Sequence, residues 1–297
     1  MGVTGYLRGA VSLLVTLIAV AGCTRYGYQL DPTAIAQIQD VHVQSVVVQD
    51  EIVLLAEEVS SAGQAPAGGL IIAGINANRE RKAEKAVTPL RESVKDLDFR
   101  AEFWTRLEPA LADSRWPPVS EVEKLTKRIG VTEATTKSRG LLEIETFFSL
   151  SANASYLTVF SKYRFLPRGS TKASGVGAIT YESPRLGEQE LEQSLAVWSN
   201  DGATLYRKEI MQGIELSVKM ITRSLLNMGR MAGTPAGPKM HLKSREEISA
   251  MQRPYGMTAN GHLGWVIEKD DERVCFQSEP GLFYSLPLST VELLSAP

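Results

Sequence analysis

An apolar run near the N terminus of this 297-residue chain ends at a cysteine, and this junction constrains the rest of the sequence most. The run AVSLLVTLIAVA covers residues 10–21, and Arg8 is the one charged residue among positions 1–22. A helix needs about 20 apolar residues to cross the hydrocarbon core of a bilayer, so this run is too short to span it. A basic start, a short apolar run and small residues at its end are typical of a secretory signal. We therefore expect residues 1–22 to be a signal peptide.

The end of that run, Val20-Ala21-Gly22-Cys23, resembles the lipobox of bacterial lipoproteins, in which an aliphatic residue and two small residues precede a cysteine. The resemblance implies cleavage between Gly22 and Cys23, a diacylglyceryl group on the Cys23 thiol, and a further acyl chain such as palmitate on the new amino group. Val20 stands where leucine is most common in the family. Two or three lipid chains anchor a protein stably, since each buried CH₂ contributes about 0.8 kcal/mol.

The resemblance also implies a location. Thr24, rather than aspartate, follows Cys23, which favours the outer membrane over retention at the inner membrane. The protein is then a lipid-anchored part of the cell envelope that faces the periplasm. The alternatives are an ordinary secretory signal with an accidental cysteine and an uncleaved anchor helix.

Charge and cysteine content exclude some classes of function. Removal of residues 1–22 leaves 31 basic and 34 acidic residues, a balance that disfavours nucleic-acid binding. The chain has two cysteines, and if Cys23 carries lipid, Cys275 has no partner within the chain. An unpaired cysteine is usually a small buried residue, although an intermolecular disulfide in the oxidising periplasm is the alternative.

Patterning divides the chain into five segments: a signal peptide (1–22), a tether (23–40), an α+β domain (41–230), a linker (231–243) and a small β-rich C-terminal module (244–297). Residues 41–48 are rich in β-branched residues, which favours a strand. Residues 142–148 and 156–165 alternate polar and apolar positions around a short polar joint, which predicts a hairpin, and residues 177–182 predict a further strand. We expect the three apolar bursts after residue 264 to be strands as well.

Turn and helix signals complete the predicted domain. Ser120 and Glu123 form a capping-box pattern that predicts a short helix. Asn200-Asp201-Gly202 predicts a hairpin turn, because these residue types tolerate positive φ. Apolar residues at steps of three and four from 211 to 228 predict the longest helix.

A stripe of small residues, Gly69, Ala73 and Ala77, recurs every four positions in a glycine-rich stretch. The simplest interpretation is a loop that leads into a helix. The alternative is a segment that packs on a partner subunit or on the membrane surface, because small residues allow close approach of helices.

Few residues have the spacing that known chemistry requires. The three histidines, His42, His241 and His262, lie in distant segments without metal-ligand spacing, so no metal site and no cofactor apart from the covalent lipid is expected. Glu143 and Glu145 share one face of a strand, where a pair of carboxylates acts as acid and base only if their pKa values differ. The simpler interpretation places both on the solvent face of the sheet.

A basic run on the predicted strand and the loop after it is the other candidate interaction site. It contains Lys162, Arg164, Arg168 and Lys172. Basic residues near a membrane surface attract anionic lipid headgroups, so this run is a candidate contact with lipid. An exposed, solvated loop is the alternative.

The predicted class is α+β: a small mixed or antiparallel sheet with packed helices, plus a short C-terminal β-module. The order of residues 141–165, residues 198–202 and the helix at 211–228 resembles the small α/β domain of curli-secretion-type lipoproteins and the N-terminal domain of the Tol-system periplasmic protein. This resemblance covers about half of the chain and implies no catalytic residue. The chain resembles still more a set of bacterial lipoproteins without an assigned role.

Three functions remain open from the sequence. The first is a non-enzymatic binding or scaffold protein of the envelope, or an accessory to assembly or secretion, with an envelope protein or a second copy of itself as partner. The second is a periplasmic carrier of a small ligand or lipid, with a cleft lined by Phe147, Phe148, Phe160 and Trp198. The third is an enzyme whose site assembles only in the folded chain.

Overall fold

The computed structural model describes residues 40–49, 51–54, 85–113, 119–131, 136, 140–187, 189–229, 237–245, 262–279 and 281–295. The predictions for Cys23 and Thr24, and for the small-residue stripe of Gly69, Ala73 and Ala77, lie outside these residues. No helix among the described residues combines the length and the apolar character needed to cross a membrane.

Among the described residues, three helices combine with one sheet, as the predicted α+β class requires. The helices are α1 (85–93), α2 (Phe99–Ala112) and α3 (Leu191–Gly229). The strands are β1 (Val41–Val46), β2 (Val119–Leu125), β3 (Gly140–Leu150), β4 (Leu157–Leu166), β5 (Gly175–Glu182), β6 (Lys239–Ser244), β7 (His262–Lys269), β8 (Arg273–Ser278), β9 (Phe283–Pro287) and β10 (Val291–Ser295).

The ten described strands belong to one sheet, in the order β10-β6-β7-β8-β9-β5-β4-β3-β1-β2. β1 is parallel to both β2 and β3, and β5 is parallel to β9, while the other neighbours are antiparallel. Parallel neighbours need a long crossover, and α2 lies in the connection between β1 and β2. The mixed sheet confirms the predicted class, but the sheet is larger than the small one expected.

The predicted hairpin is confirmed. β3 and β4 pair antiparallel over ten residue pairs, from Leu141 with Leu166 to Leu150 with Leu157. The polar joint after Leu150 makes the turn, where Ala154 has φ 52°. The strand predicted at residues 177–182 is β5, and it pairs antiparallel with β4.

The capping-box prediction is wrong. Ser120 to Glu123 lie in β2, the strand at one edge of the sheet, and not in a helix. The pairing of β2 with β1, more than 70 positions earlier in the sequence, overrides the local helix signal.

The hairpin predicted at Asn200-Asp201-Gly202 is also wrong, although its backbone chemistry is correct. Asp201, Gly202 and Ala203 have φ values of 48°, 67° and 61°, the left-handed conformation that the sequence favours. These residues kink α3 instead of joining two strands. The predicted helix at 211–228 forms the C-terminal part of α3.

The C-terminal strands continue the main sheet. β9 pairs with β5 over three residue pairs, Ile179–Phe283, Thr180–Tyr284 and Tyr181–Ser285. Residues 239–243, which fall in the predicted linker, form most of β6. The division of the chain at residues 230 and 244 remains a prediction.

One face of the sheet packs on α2 and α3 and forms the larger core. Phe103 and Leu107 of α2 and Trp198 of α3 are fully buried there, against strand residues such as Ile144. Gly213 of α3 brings the helix very close, since a Cβ at this position would lie 2.7 Å from a methyl group of Val159. A second core on the opposite face joins β4, β5 and the C-terminal strands around Phe160, Phe276 and Tyr284.

Arg273 reinforces the short junction between β5 and β9, and it is 7% exposed. Its guanidinium donates to the carbonyl oxygen of Glu182 in β5 at 2.8 Å and to that of Ser285 in β9 at 2.9 Å. The same group stacks 4.4 Å from the ring centre of Tyr181. One side chain therefore binds both strands of the junction.

Candidate functional site

The face of β2, β1, β3 and β4 opposite the helices carries a group of charged and polar side chains. Because successive side chains on a strand alternate between faces, the residues between the core positions of these strands all point to this side. We call this group the charged face: His42, Gln44, Glu121, Glu123, Arg128, Glu143, Glu145, Lys162 and Arg164. The strand register aligns the strand members in three rows across the sheet: His42 with Glu121, then Gln44 with Glu123, Glu143 and Arg164, then Glu145 with Lys162. Arg128 follows β2.

His42 lies in the first row beside Glu121, and it is 8% exposed. Its Nε2 lies 3.0 Å from a carboxylate oxygen of Glu123, and its Nδ1 lies 3.4 Å from one of Glu121. Gln44 donates to the same Glu123 oxygen at 2.9 Å. The Nε2 contact is a hydrogen bond, whereas the buried Nδ1 atom makes none.

The second row pairs Glu143 with Arg164. These residues occupy directly opposite positions on β3 and β4, and the guanidinium donates to the carboxylate at 2.7 Å. Glu143 is 7% exposed. The sequence therefore predicts the face of Glu143 correctly, away from the helices, but the residue is buried by its neighbours and not open to solvent.

In the third row, Glu145 contacts two basic side chains. Lys162 lies 2.7 Å from its carboxylate, and Arg128 donates to the same oxygen. Burial alone raises the pKa of Glu145, but the hydrogen bonds from Arg128 and Lys162 outweigh burial and hold this pKa below its ordinary value. The hydrogen bond to Glu145 in turn raises the pKa of Arg128.

This geometry does not favour acid–base chemistry by Glu143 and Glu145. A carboxyl group that acts as a general acid at neutral pH needs a raised pKa. The pKa of Glu145 is lowered, and both carboxylates bind cations. The pair is better suited to hold the surface in a fixed charge pattern.

The predicted basic run divides into two parts. Lys162 and Arg164 belong to the charged face, where each is paired with a glutamate. Arg168 and Lys172 are exposed in the loop between β4 and β5, at one end of the sheet. The two parts therefore serve different surfaces.

The three histidines do not converge. His42 lies on β1, at the far side of the sheet from His241 in β6 and His262 in β7. His262 stacks on Tyr284 with 5.5 Å between ring centres. Within the described ranges, no group of three His, Cys, Asp or Glu side chains is arranged to hold a metal ion.

Cys275 is a buried free thiol in β8, 7% exposed. Burial raises the pKa of this thiol, and its Sγ lies 3.8 Å from Oγ of Ser285. Its position agrees with the small buried residue expected, and it leaves the sulfur shielded from a second chain.

The four aromatic residues of the predicted ligand cleft lie on opposite faces of the sheet. Phe148 packs on Phe99 with 4.1 Å between ring centres, and Trp198 is buried in the same helix-side core. Phe147 and Phe160 pack together on the other face, 4.9 Å apart. These residues therefore fill two cores and do not line one cleft.

Sequence reasoning missed a buried polar contact between α3 and the sheet. The Tyr181 hydroxyl donates to a carboxylate oxygen of Glu209 at 2.7 Å, and Glu209 is 3% exposed. Burial raises the pKa of Tyr181, so the phenol keeps the proton that it donates. A signal was present, because Glu209, Gly213 and Ser217 recur every four residues on the face of α3 that meets the sheet.

Comparison with known proteins assigns no family. No family model matches the chain, and no curated protein matches it. One of the solved structures, described as the crystal structure of an uncharacterized protein, covers 67% of this chain and 95% of its own length at 8% identity and a TM-score of 0.21. A TM-score of this size relates neither fold nor function.

Proposed function

We propose that this protein is a lipid-anchored component of a bacterial envelope that binds a protein partner and catalyses no reaction. The observation that carries the proposal is the sequence Val20-Ala21-Gly22-Cys23 directly after a short apolar run. Covalent lipid on Cys23 anchors the folded domain without a membrane-spanning helix. Thr24 supports a position on the outer membrane, facing the periplasm.

The charged face supports a binding role. Its glutamates are bound to His42, Arg128, Lys162 and Arg164, so the side chains are held in place before any partner arrives. Fixed rows of both charge signs favour specificity toward a complementary charged protein surface more than they favour tight binding alone. An envelope protein or a second copy of this chain is the proposed occupant.

The anchor is tested by replacing the acylated residue. Cys23→Ser in the native host leaves no thiol for the diacylglyceryl group, so we expect an unprocessed precursor and loss of the mature protein from the membrane fraction. Intact mass measurement of the wild-type protein shows whether acyl groups are attached at Cys23. A Cys23→Ser protein that is still cleaved after Gly22 and still sediments with membranes contradicts the anchor.

The binding surface is tested by crosslinking in intact cells. A photoreactive amino acid at Glu121, whose side chain is 56% exposed, places the probe on the charged face. The same probe at Ala196, an exposed position of α3, serves as the control. We expect one discrete adduct from position 121 that Glu123→Lys weakens. Equal adducts from both positions, or none from position 121, contradict the proposed surface.

A further inference from the structure

The part of the charged face on β3 and β4 exposes its basic side chains and buries its carboxylates. Side-chain exposure is 55% for Arg128, 44% for Arg164 and 36% for Lys162. It is 8% for Glu143 and 12% for Glu145, the carboxylates that these side chains contact. A partner that meets this part of the face therefore meets the three basic side chains first. We call these three residues the cation strip.

The two carboxylates hold the cation strip in place without cancelling its charge. Glu143 binds Arg164, and Glu145 binds both Arg128 and Lys162, so three positive and two negative charges leave one positive charge. Each arginine donates to its glutamate through Nη2. A guanidinium has five N–H donors, and among the described residues no other group accepts from these two arginines. The strip thus keeps exposed donors for a further acceptor.

Uncharged residues lie directly beside the cation strip on the described strands that flank it: Val176 and Ala178 on β5, and Gln44 and Val46 on β1. The carboxylates of β2, Glu121 and Glu123, lie beyond β1, two strand spacings or roughly 10 Å from β3. Glu182 of β5 lies opposite Thr158, four positions along β4 from Lys162, or roughly 13 Å. A screening length of about 8 Å at physiological salt weakens repulsion of an acidic partner across these distances.

We propose that the cation strip binds an acidic segment of the partner protein, with two carboxylates at alternate positions of an extended chain. The proposal rests on the charged face as the binding surface. Lys162 and Arg164 are two residues apart on β4, a separation of roughly 6.8 Å. Alternate side chains of an extended segment share one side and repeat at the same distance, so one carboxylate meets Arg164 while the next meets Lys162 and Arg128. Guanidinium groups bind carboxylates through paired hydrogen bonds, which add geometric specificity to the attraction.

Two peptides of identical composition test this spacing. The sequence Thr-Thr-Glu-Thr-Glu-Thr-Thr places its glutamates at alternate positions, whereas in the isomer Thr-Thr-Glu-Glu-Thr-Thr-Thr they are adjacent and face opposite sides of an extended chain. Both peptides, with blocked ends, are titrated into the isotope-labelled full chain at low salt, and backbone amide shifts are followed by NMR. We expect the alternating peptide to bind roughly tenfold more tightly, because the isomer places one carboxylate instead of two on the strip. Shift changes should centre on residues 143–145 and 162–164.

A double variant without a change in net charge identifies the groups responsible. E143Q/R164Q removes one whole ion pair, so no buried carboxylate is left without its cation. We expect it to bind the alternating peptide roughly tenfold more weakly and to lose the preference over the isomer. E108Q/K124Q is the matched control, since it removes an ion pair of 2.7 Å between α2 and β2, and we expect unchanged binding. Equal binding of the two peptides by the wild-type chain, or unchanged binding by E143Q/R164Q, overturns the proposal.

Inorganic phosphate distinguishes an acidic protein segment from a small anion. Phosphate reaches only one end of the cation strip at a time, because its two rows lie roughly 6.8 Å apart. We expect it to bind roughly tenfold more weakly than the alternating peptide. Phosphate binding as tight as that of the peptide overturns the assignment to an acidic segment.

Crosslinking from position 121 in intact cells separates this proposal from the binding surface on which it rests. If the adduct forms there and the two peptides bind equally, the acidic segment is wrong and the charged face stands. If no adduct forms and neither peptide binds, the charged face fails and the acidic segment fails with it.

Discussion

Arg164 and Glu143 face each other across β4 and β3 with 2.7 Å between donor and acceptor, yet they differ in burial. The side chain of Glu143 is 8% exposed and that of Arg164 is 44% exposed. The pair is thus a buried carboxylate neutralised by a cation that reaches in from the surface. The loss of stability on replacing one partner therefore depends on whether the buried carboxylate or the more exposed guanidinium is left unpaired.

Arg164→Met leaves the Glu143 carboxylate buried without its cation, and we expect it to lower the free energy of unfolding by about 1–3 kcal/mol. Glu143→Gln leaves an exposed guanidinium and is expected to have the smaller effect. Urea unfolding of the purified chain measures both. Lys172→Met, in the exposed loop, is the control and is expected to stay within about 0.5 kcal/mol of wild type. The reverse order of the two effects would contradict this interpretation of the pair.

Tyr181→Phe removes the hydrogen bond to the buried Glu209 carboxylate while it keeps the ring beneath Arg273. A hydrogen bond to a charged group contributes about 1.5–3 kcal/mol, and we expect a loss of that size in thermal or urea unfolding. Tyr284→Phe is the matched control, because it also removes a tyrosine hydroxyl but breaks only a longer contact, 3.3 Å from a ring nitrogen of His262. Similar losses of stability for the two variants would contradict a strong hydrogen bond between Tyr181 and the Glu209 carboxylate.

Stability is expected to fall in acid through Glu145. Its pKa in the folded state lies below the ordinary value of 4.5, so its contribution is fully present above about pH 4.5 and is lost as the pH falls through the folded-state pKa. Glu145→Gln should therefore be less stable than wild type by about 1 kcal/mol at neutral pH and match it in acid. Unfolding measured across pH tests this, with the exposed Glu215→Gln as control. A difference that persists unchanged in acid would contradict the ion-pair assignment.

Gly213→Ala is expected to destabilise the protein by about 1–3 kcal/mol, although alanine is the better helix former. The added Cβ would lie 2.7 Å from Val159 and 2.9 Å from the ring of Tyr181. Gly130→Ala is the control, because no atom lies within 4 Å of its added Cβ. Calorimetry of both variants measures the difference, and a stabilised Gly213→Ala protein would show that α3 does not pack this closely.

Thiol counting distinguishes the two cysteines. Cys275 is buried and its pKa is raised by burial, so we expect almost no reaction with a thiol reagent in the native protein. If the Cys23 sulfur carries lipid as proposed, protein from the membrane fraction should expose one reactive thiol per chain after unfolding. Two reactive thiols in unfolded protein from the membrane fraction would exclude acylation of that sulfur.

Local patterns predict the local parts of this fold. The alternation in residues 142–148 and 156–165 predicts β3 and β4, and the apolar steps from 211 to 228 predict the C-terminal part of α3. Asp201 and Gly202 take the positive φ that their residue types favour. Whether such a turn joins strands or kinks a helix depends on the residues that pack around it, and the residues next to it in sequence do not determine this.

Pairing between strands that are distant in sequence determines the rest of the fold. β2 becomes a strand because it lies beside β1, and β9 extends the sheet because it meets β5, about 100 residues earlier in the chain. The charged face follows from the same register, which places Arg164 opposite Glu143 and Lys162 opposite Glu145. The strand pattern of each segment predicts which side a glutamate faces, but its partner comes from a different strand.

The junction between β5 and β9 also determines how the molecule responds to mechanical load. A load applied between the start of β1 and β10 would act across the sheet, so that every ladder between these two strands bears tension at right angles to its strands. Ladders loaded this way separate one bond at a time, and the β5–β9 ladder has the fewest residue pairs of those described. Arg273 donates to a carbonyl oxygen on each side of this ladder, so it strengthens the weakest connection between the strands from β5 to β2 and those from β9 to β10.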